Sequence, residues 1–227
     1  MVEQQAEGMK FKSDYTCNEQ ENNIAGGYCI LVTGIPAVGK STMAEFLAES
    51  FAIPVISKDK IKEIMFDELG FQSREEKVKL GVASMNVMYY MAEQLMRRNQ
   101  PYILENNFEN LSKQGLQILL NRYSYKAITV TLTGDYEKIY ARFVERNNSP
   151  YRHRGHVVND CYPEKNPGYA VEPIPFEHFR NGIELRGMDT FAANGPHIVV
   201  DMTDFEKVDR EELVMKIIAC REKILNG

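Results

Sequence analysis

Tyr28-Cys29-Ile30-Leu31-Val32-Thr33-Gly34-Ile35-Pro36-Ala37-Val38-Gly39-Lys40-Ser41-Thr42 decides how the rest of the chain is read. The run from Tyr28 to Thr33 is short, apolar and ends at a glycine, which suits a buried strand. Gly34 to Ser41 then follows the spacing G-x-x-x-x-G-K-[ST]. After it, Met43, Ala44, Leu47, Ala48 and Phe51 share one face of a helix that begins at Lys40. The glycines let successive backbone N–H groups turn toward an anion. The helix start aims the positive end of its dipole at the same place. Lys40 brings a full charge to the β- and γ-phosphates, Ser41 offers a hydroxyl to Mg²⁺, and Thr42 is placed to touch the α-phosphate. The expected ligand of Gly34, Ile35, Pro36, Ala37, Val38, Gly39, Lys40, Ser41 and Thr42 is therefore a nucleoside triphosphate with Mg²⁺, ATP serving as phosphate donor.

Outward from this loop, strands and helices alternate. Ile53 to Ile56, Tyr102 to Leu104, Ala127 to Leu132 and Ile198 to Val200 read as four more strands. Helices are expected over 59–69, 75–99, 109–123 and 135–147, and in a last stretch carrying Leu213, Ile217, Cys220 and Ile224. On 75–99 the apolar face is Val78, Val82, Met85, Tyr89, Ala92 and Met96. Such alternation gives an α/β three-layer sandwich, a parallel sheet with helices on both faces. Residues 149–195 break the pattern with Pro150, Pro163, Pro167, Pro173 and Pro175, and are expected to form a lid or acceptor-site insertion in a domain spanning 27–227. Tyr151, Tyr162, Tyr169, Phe176, His178 and Arg180 within it could stack a ring or make a small core. Residues 1–26 have few large apolar residues and read as a flexible extension.

Composition narrows the function classes. The 227 residues are 44% hydrophobic and 26% charged, enough for a core without disulfide or metal staples. The net charge of −5 gives no global attraction to nucleic acid, though a local basic groove stays open. Cys17, Cys29, Cys161 and Cys220 form no C-x-x-C pair, and no leader is visible, so a reducing cytoplasm is expected. No apolar run reaches the ~20 residues that span a bilayer, so no membrane partner is expected.

Further candidates sit where the later strands end. After the second strand comes Ser57-Lys58-Asp59-Lys60-Ile61-Lys62, at the carboxyl edge where such sheets bind ligands. Asp59 is a candidate base for an attacking hydroxyl, and Lys62 could hold an anionic group of the substrate. The plainer reading is that Ser57 or Asp59 caps the helix. Glu105-Asn106-Asn107 ends the third strand, where Glu105 and Asn107 could hold a substrate hydroxyl or stand behind Mg²⁺, or simply open a polar loop. Arg142, Arg146, Arg152 and Arg154 crowd one basic stretch with His153 and His156. Arginine forks match phosphate oxygens, so Arg142 and Arg146 are read onto the nucleotide and Arg152 and Arg154 onto the substrate, the alternative being a solvated basic face. His153 and His156 lack a third ligand for zinc. Asp201-Met202-Thr203-Asp204, after the last strand, is either one wall of a nucleobase pocket or an ordinary turn.

Together, Gly34–Thr42, Ser57-x-Asp59-x-x-Lys62, Leu104-Glu105-Asn106-Asn107-Phe108 and Arg142-x-x-x-Arg146-Asn147 resemble the P-loop kinases related to 5′-polynucleotide kinase, AAA-type small-molecule kinases and zeta-toxin-like kinases. The likeness covers about 28–147 and 197–226. It implies a P-loop NTPase fold with five strands in order 2-3-1-4-5 and phosphoryl transfer from ATP to a hydroxyl. It further implies Asp59 as base and Arg146 as a lid arginine on the ATP phosphates. Where 5′-polynucleotide kinases carry an arginine, this chain has Lys62, which lacks the bidentate fork. The expected function is transfer to a small-molecule alcohol such as a nucleoside, sugar or antibiotic. The alternatives are a 5′-hydroxyl polynucleotide kinase and a non-catalytic nucleotide-binding switch. The sequence leaves the oligomeric state open.

Overall fold

The computed structural model describes residues 26–166 and 172–226; the expected N-terminal extension apart from Gly26, together with Pro167 and Tyr169, lies outside them. Five parallel strands form one sheet: β1 Tyr28–Gly34, β2 Val55–Ser57, β3 Tyr102–Glu105, β4 Lys126–Thr133 and β5 His197–Asp201. Their order is β2-β3-β1-β4-β5, as the resemblance implied. Every residue of β1 is buried because helices cover both faces of the sheet. The pleat then sorts its side chains. Ile30 and Val32 join Ile128, Val130 and Leu132 of β4 on one face, while Cys29 and Leu31 turn to the other.

On the first face lie α1 Lys40–Phe51, α5 Tyr136–Asn148, α7 Phe176–Arg186 and α8 Arg210–Asn226. On the second lie α3 Arg74–Met96 and α4 Asn110–Arg122. The helix α2 Lys58–Leu69 packs on α3 near the carboxyl edge, where a third cluster of Phe66, Phe71 and Val158 forms. Among the described residues no helix is long and apolar enough to cross a membrane.

Three features differ from the reading of the sequence. Strand β2 begins at Val55 because the Ile53 amide still closes α1 on the Ala48 carbonyl at 3.2 Å. The stripe on α3 holds from Met85 through Tyr89, Ala92 and Met96 but fails at its start, where Val78 is 41% exposed and Lys77 is buried instead, with Met88 also buried. Lys77 occupies a position the apolar pattern leaves blank, since its stem packs like a hydrophobe and its head finds oxygens. Finally, 149–195 divides in two. A short helix α6 Arg154–Val157 packs on α2, whereas α7 sends Phe179 and Ile183 into the main core. Phe176, Phe179 and Ile183 have helical spacing that flanking prolines and Gly182 obscure.

Candidate active site

The parallel register brings the carboxyl ends of β1, β2 and β3 to one edge: Val32 and Ser57 both lie beside Glu105. The phosphate loop leaves this edge at Gly34. Its φ is +133°, and a Cβ there would lie 2.1 Å from the Leu132 carbonyl oxygen, so only glycine fits. Ala37 (φ +65°) and Gly39 (φ +98°) also take left-handed backbone, the alternation that turns N–H groups inward into an anion nest. Lys40 opens α1 directly after Gly39, and its Nζ donates to the Ile35 carbonyl at 2.8 Å across the loop. Burial pushes this ammonium down to about 8, against the upward pull of Glu105 and Asp59. Loop and lysine thus stand ready for a concentrated negative charge.

Ser57 caps α2, its Oγ accepting from the Lys60 amide at 3.4 Å and donating to Glu105 Oε2. The cap is therefore Ser57, and Asp59 sits one step inside the helix, lining the cavity. Burial raises the Asp59 carboxyl, but His156, Lys58, Lys40 and Arg152 outweigh it and leave the group below its ordinary range. Glu105 goes the other way: burial raises it, and Lys40 and the hydroxyls of Ser57 and Ser41 only partly compensate. Asn106 and Asn107 line the same wall, and the Asn107 carbonyl accepts from Thr33 Oγ1 at 3.0 Å.

The basic stretch is split rather than joined. Arg146 and Arg152 both line the cavity, each with a buried Nε that has no hydrogen-bond partner. Burial lowers both guanidinium groups, Arg146 to about 10 with Arg152 adding to the effect, while Asp59 and Glu105 pull both back up. Arg142, one turn before Arg146, turns away and donates to the Met202 and Thr203 carbonyls at 2.7 Å each. Arg154 does not line the cavity; its Nε and Nη2 grip the Glu164 carboxylate at 2.7 Å each, so the structure places it in a fork–fork pair rather than at a substrate.

The segment carrying Arg152 is tied down over α2 and α3. His153 Nε2 lies 3.0 Å from Asp67 and His156 Nε2 lies 3.1 Å from Glu63. Lys77 donates to the carbonyls of His156 and Val158 and to Asn159 Oδ1. Among the described residues, the aromatic side chains of 149–195 do not gather into a ring-binding wall. Tyr151 is 96% exposed, Tyr162 packs on Phe66 and Phe71, Phe176 meets Tyr140 edge-on, and Arg180 pairs with Glu184. Among the described residues, Lys40, Asp59, Lys62, Glu105, Arg146 and Arg152 share one cavity of about 740 Å³.

A family model described as an AAA domain matches residues 29–160, more than half of the chain. The chain belongs to this AAA-domain family. No curated protein sequence matches it. A solved structure from Chloroflexus aurantiacus assigned as a kinase is 26% identical with a TM-score of 0.69, covering 86% of this chain and 98% of that one. A second structure, APE1195, is 17% identical with a TM-score of 0.52 over 89% and 98% of the two chains, a likeness of fold alone. A gluconokinase from Sinorhizobium meliloti, 13% identical over 89% and 95%, has a TM-score of 0.49, too distant to carry an argument. The AAA-domain chain thus has a P-loop kinase fold.

Several residues of this AAA-domain site escaped the reading of the sequence. Lys58 lines the cavity beside Asp59, and Lys77 holds the segment above it. His156 lines the cavity and also bonds Glu63. Phe205 borders the cavity next to Gly39. His156 had a visible signal, a histidine directly after Gly155 at the end of the basic stretch 142–156. Phe205 had none beyond its place after the last strand.

Proposed function

We propose that this protein transfers the γ-phosphoryl group of ATP to a hydroxyl of a small molecule. The observation that carries the reading is the convergence of Lys40, Asp59, Arg146 and Arg152 on one cavity at the carboxyl edge of the sheet. Lys40, the inward-turned amides of Gly34–Thr42 and Arg146 would hold the triphosphate tail. Asp59, ionised at neutral pH with Lys58, Lys40 and Arg152 near it, would orient the acceptor hydroxyl and take its proton. A base held that low is a weak one, so most of the rate would come from positioning and charge neutralisation.

Oxygen donors near the loop suit Mg²⁺, a hard cation that needs only one or two protein oxygens beside water and phosphate. Ser41 Oγ would hold it, with Glu105 and Asp59 lining the same cavity; the Ser41 hydroxyl is near enough to Glu105 to favour its ionised form. The bound ion would supply charge to the phosphoryl oxygens.

The charges left over describe the acceptor. Glu63 is engaged by Lys60 at 2.9 Å and by His156. Lys62 has its Nζ 5.2 Å from the Phe66 ring centre, and burial pushes it down to about 8. With Lys40 and Arg146 on the nucleotide, and Lys60 and Arg186 paired with Glu63 and Glu109, Lys58, Lys62 and Arg152 are lining cations without an ion pair among the described residues, and Glu45, Asp59 and Glu105 are the lining carboxylates that remain. An alcohol that also bears a carboxylate or phosphate fits that balance better than a neutral one.

The test is transfer of labelled γ-phosphate from ATP to paired acceptors, each alcohol with and without an acidic group, alongside nucleosides, aminoglycosides and 5′-hydroxyl oligonucleotides. Asp59→Asn is expected to lower kcat by about 10²–10³ with ATP affinity retained, the lower part of the range for general bases. ATP hydrolysis alone, unchanged by Asp59→Asn, would leave a nucleotide-binding module instead.

A further inference from the structure

β5 ends the sheet, and its outer side is open. No strand lies beyond it among the described residues. The Thr129 amide donates to the Pro196 carbonyl and the Met202 amide to the Thr133 carbonyl, both at 2.8 Å. With Thr131 level with Val199 between them, the backbone groups of Ile198 and Val200 face β4. Those of His197, Val199 and Asp201 face away from it. A groove of about 220 Å³ follows this edge, walled by Lys207, Val208, Asp209, Glu212 and Lys216. Its charges are already engaged: Lys207 pairs with Asp204 at 3.0 Å and Lys216 with Glu212 at 2.9 Å, while Asp209 accepts the Glu212 amide.

Side chains alternate in step with the backbone. Ile198 and Val200 pack against the first core cluster. His197, Val199 and Asp201 lie on the opposite face, and Val199 is 58% exposed. An unpaired edge is a template for another strand, and proteins often guard it with lysine; β5 carries none. The row His197, Val199, Asp201 is also complementary to itself when reversed. Thr131 Oγ1 donates to the Phe191 carbonyl at 2.9 Å, so it accepts from His197 Nε2, also at 2.9 Å. Nε2 thus keeps its proton, and a second proton goes to Nδ1. Burial pushes this imidazole below its ordinary value. Thr203, with Lys138 adding, holds Asp201 below the usual carboxylate range, so it is ionised.

We propose that β5 is a dimer interface, two copies pairing antiparallel about a two-fold axis at Val199. Val199 then opposes Val199, and His197 of each copy opposes Asp201 of the other. Each opposed pair exchanges two backbone bonds, because the free N–H and C=O groups belong to these three residues. The protonated Nδ1 of His197 donates to the carboxylate across the axis. That carboxylate favours the charged ring, so association takes up protons and loosens as pH rises. The pairing is independent of what the cavity binds.

Sedimentation velocity on the full chain tests it. Wild type at pH 6 is expected to pass from monomer to dimer between about 1 and 300 µM, as suits an interface of one short strand per copy. From pH 6 to 8 the dissociation constant should rise about 10- to 100-fold, up to about tenfold for each of the two histidines. Val199→Lys and Val199→Glu should each be monomeric, since like charges would stand directly opposite. Their urea midpoints should stay near wild type, because the side chain is exposed. Mixed in equal amounts, the two variants should dimerise again, since residue 199 meets itself. A wild type that stays monomeric at pH 6 overturns the proposal and leaves the edge to another strand. So does a dimer that either charge leaves intact, a dissociation constant unchanged by pH, or a mixture of the two variants that remains monomeric.

Discussion

Replacing Lys77 by Met should loosen the cover of the site without unfolding the domain. Methionine keeps the length of the stem buried in α3 and deletes the ammonium. Bonds are lost to the His156 carbonyl at 3.0 Å, to the Val158 carbonyl, and to Asn159 Oδ1 at 3.1 Å. A bond from a charged donor contributes about 1.5–3 kcal/mol, so the gross loss is roughly 4–9 kcal/mol. Against it stands the cost of holding an ammonium out of water, several kcal/mol per ion. Burial, with Lys62, Arg74 and Arg152 adding repulsion, pushes this group down to about 7. The two terms nearly cancel, so global stability should change by no more than about 2 kcal/mol. The local effect does not cancel, because all three acceptors belong to the 156–159 segment. A local loss of about 2–3 kcal/mol raises its open population roughly 30- to 150-fold. Hydrogen exchange should therefore accelerate in 153–162 and stay unchanged in β1. The sign of the pH effect comes from linkage. The unfolded chain keeps this proton up to about 10.5 and the folded chain releases it near 7. Across that window the unfolded state binds more protons, so the group makes wild-type stability rise with pH. Urea midpoints should climb from pH 7 to 10 more steeply in wild type than in the variant. Wild-type exchange in 153–162 of Lys77→Met would refute the clamp.

Gly155→Ala tests the same cover from α6: its Cβ would lie 2.4 Å from the buried Phe66 ring, so about 1–3 kcal/mol of stability should be lost, read as a lower urea midpoint. Lys40, pushed down to about 8, should regain its proton when the triphosphate arrives, so binding near pH 8.5 should take up as much as about one proton, measured by calorimetry in buffers of different ionisation enthalpy. Lys40→Met should abolish that uptake, and a nucleotide that still binds it with full proton uptake would assign the proton elsewhere. Arg146→Ala should weaken Mg-ATP and lower kcat, whereas Arg154→Ala, which removes the pair with Glu164 outside the cavity, should leave ATP affinity within about twofold.

What the sequence disclosed and what it hid divide along physical lines. The β1–loop–α1 unit was legible because its signals are local: glycine at positions of positive φ, an apolar run before it and a helical stripe after it. Asp59 and Glu105 were legible because parallel strands end at one edge, so chain order alone sets the residues at each strand's carboxyl end near the loop. The long basic side chains were not. Arg142 and Arg146 are one turn apart on α5, yet one is drawn to the carbonyls after β5 and the other into the cavity. Arg152 and Arg154 separate in the same way: Glu164 holds Arg154, while Arg152 turns to the cavity. In each case the deciding partner is remote in sequence, and a flexible charged head settles on whichever acceptors the fold brings near. Lys77 is the sharpest instance. A polar residue within a helical stripe reads as an interruption of the core, but here the carbonyls of the 156–159 segment solvate it and make it the bond between core and cover. The site's electrostatics derive from that arrangement. Arg146 and Arg152, each with a buried unpartnered Nε beneath a tethered segment, favour a negatively charged ligand over water, and the proposed triphosphate would lie at the phosphate loop.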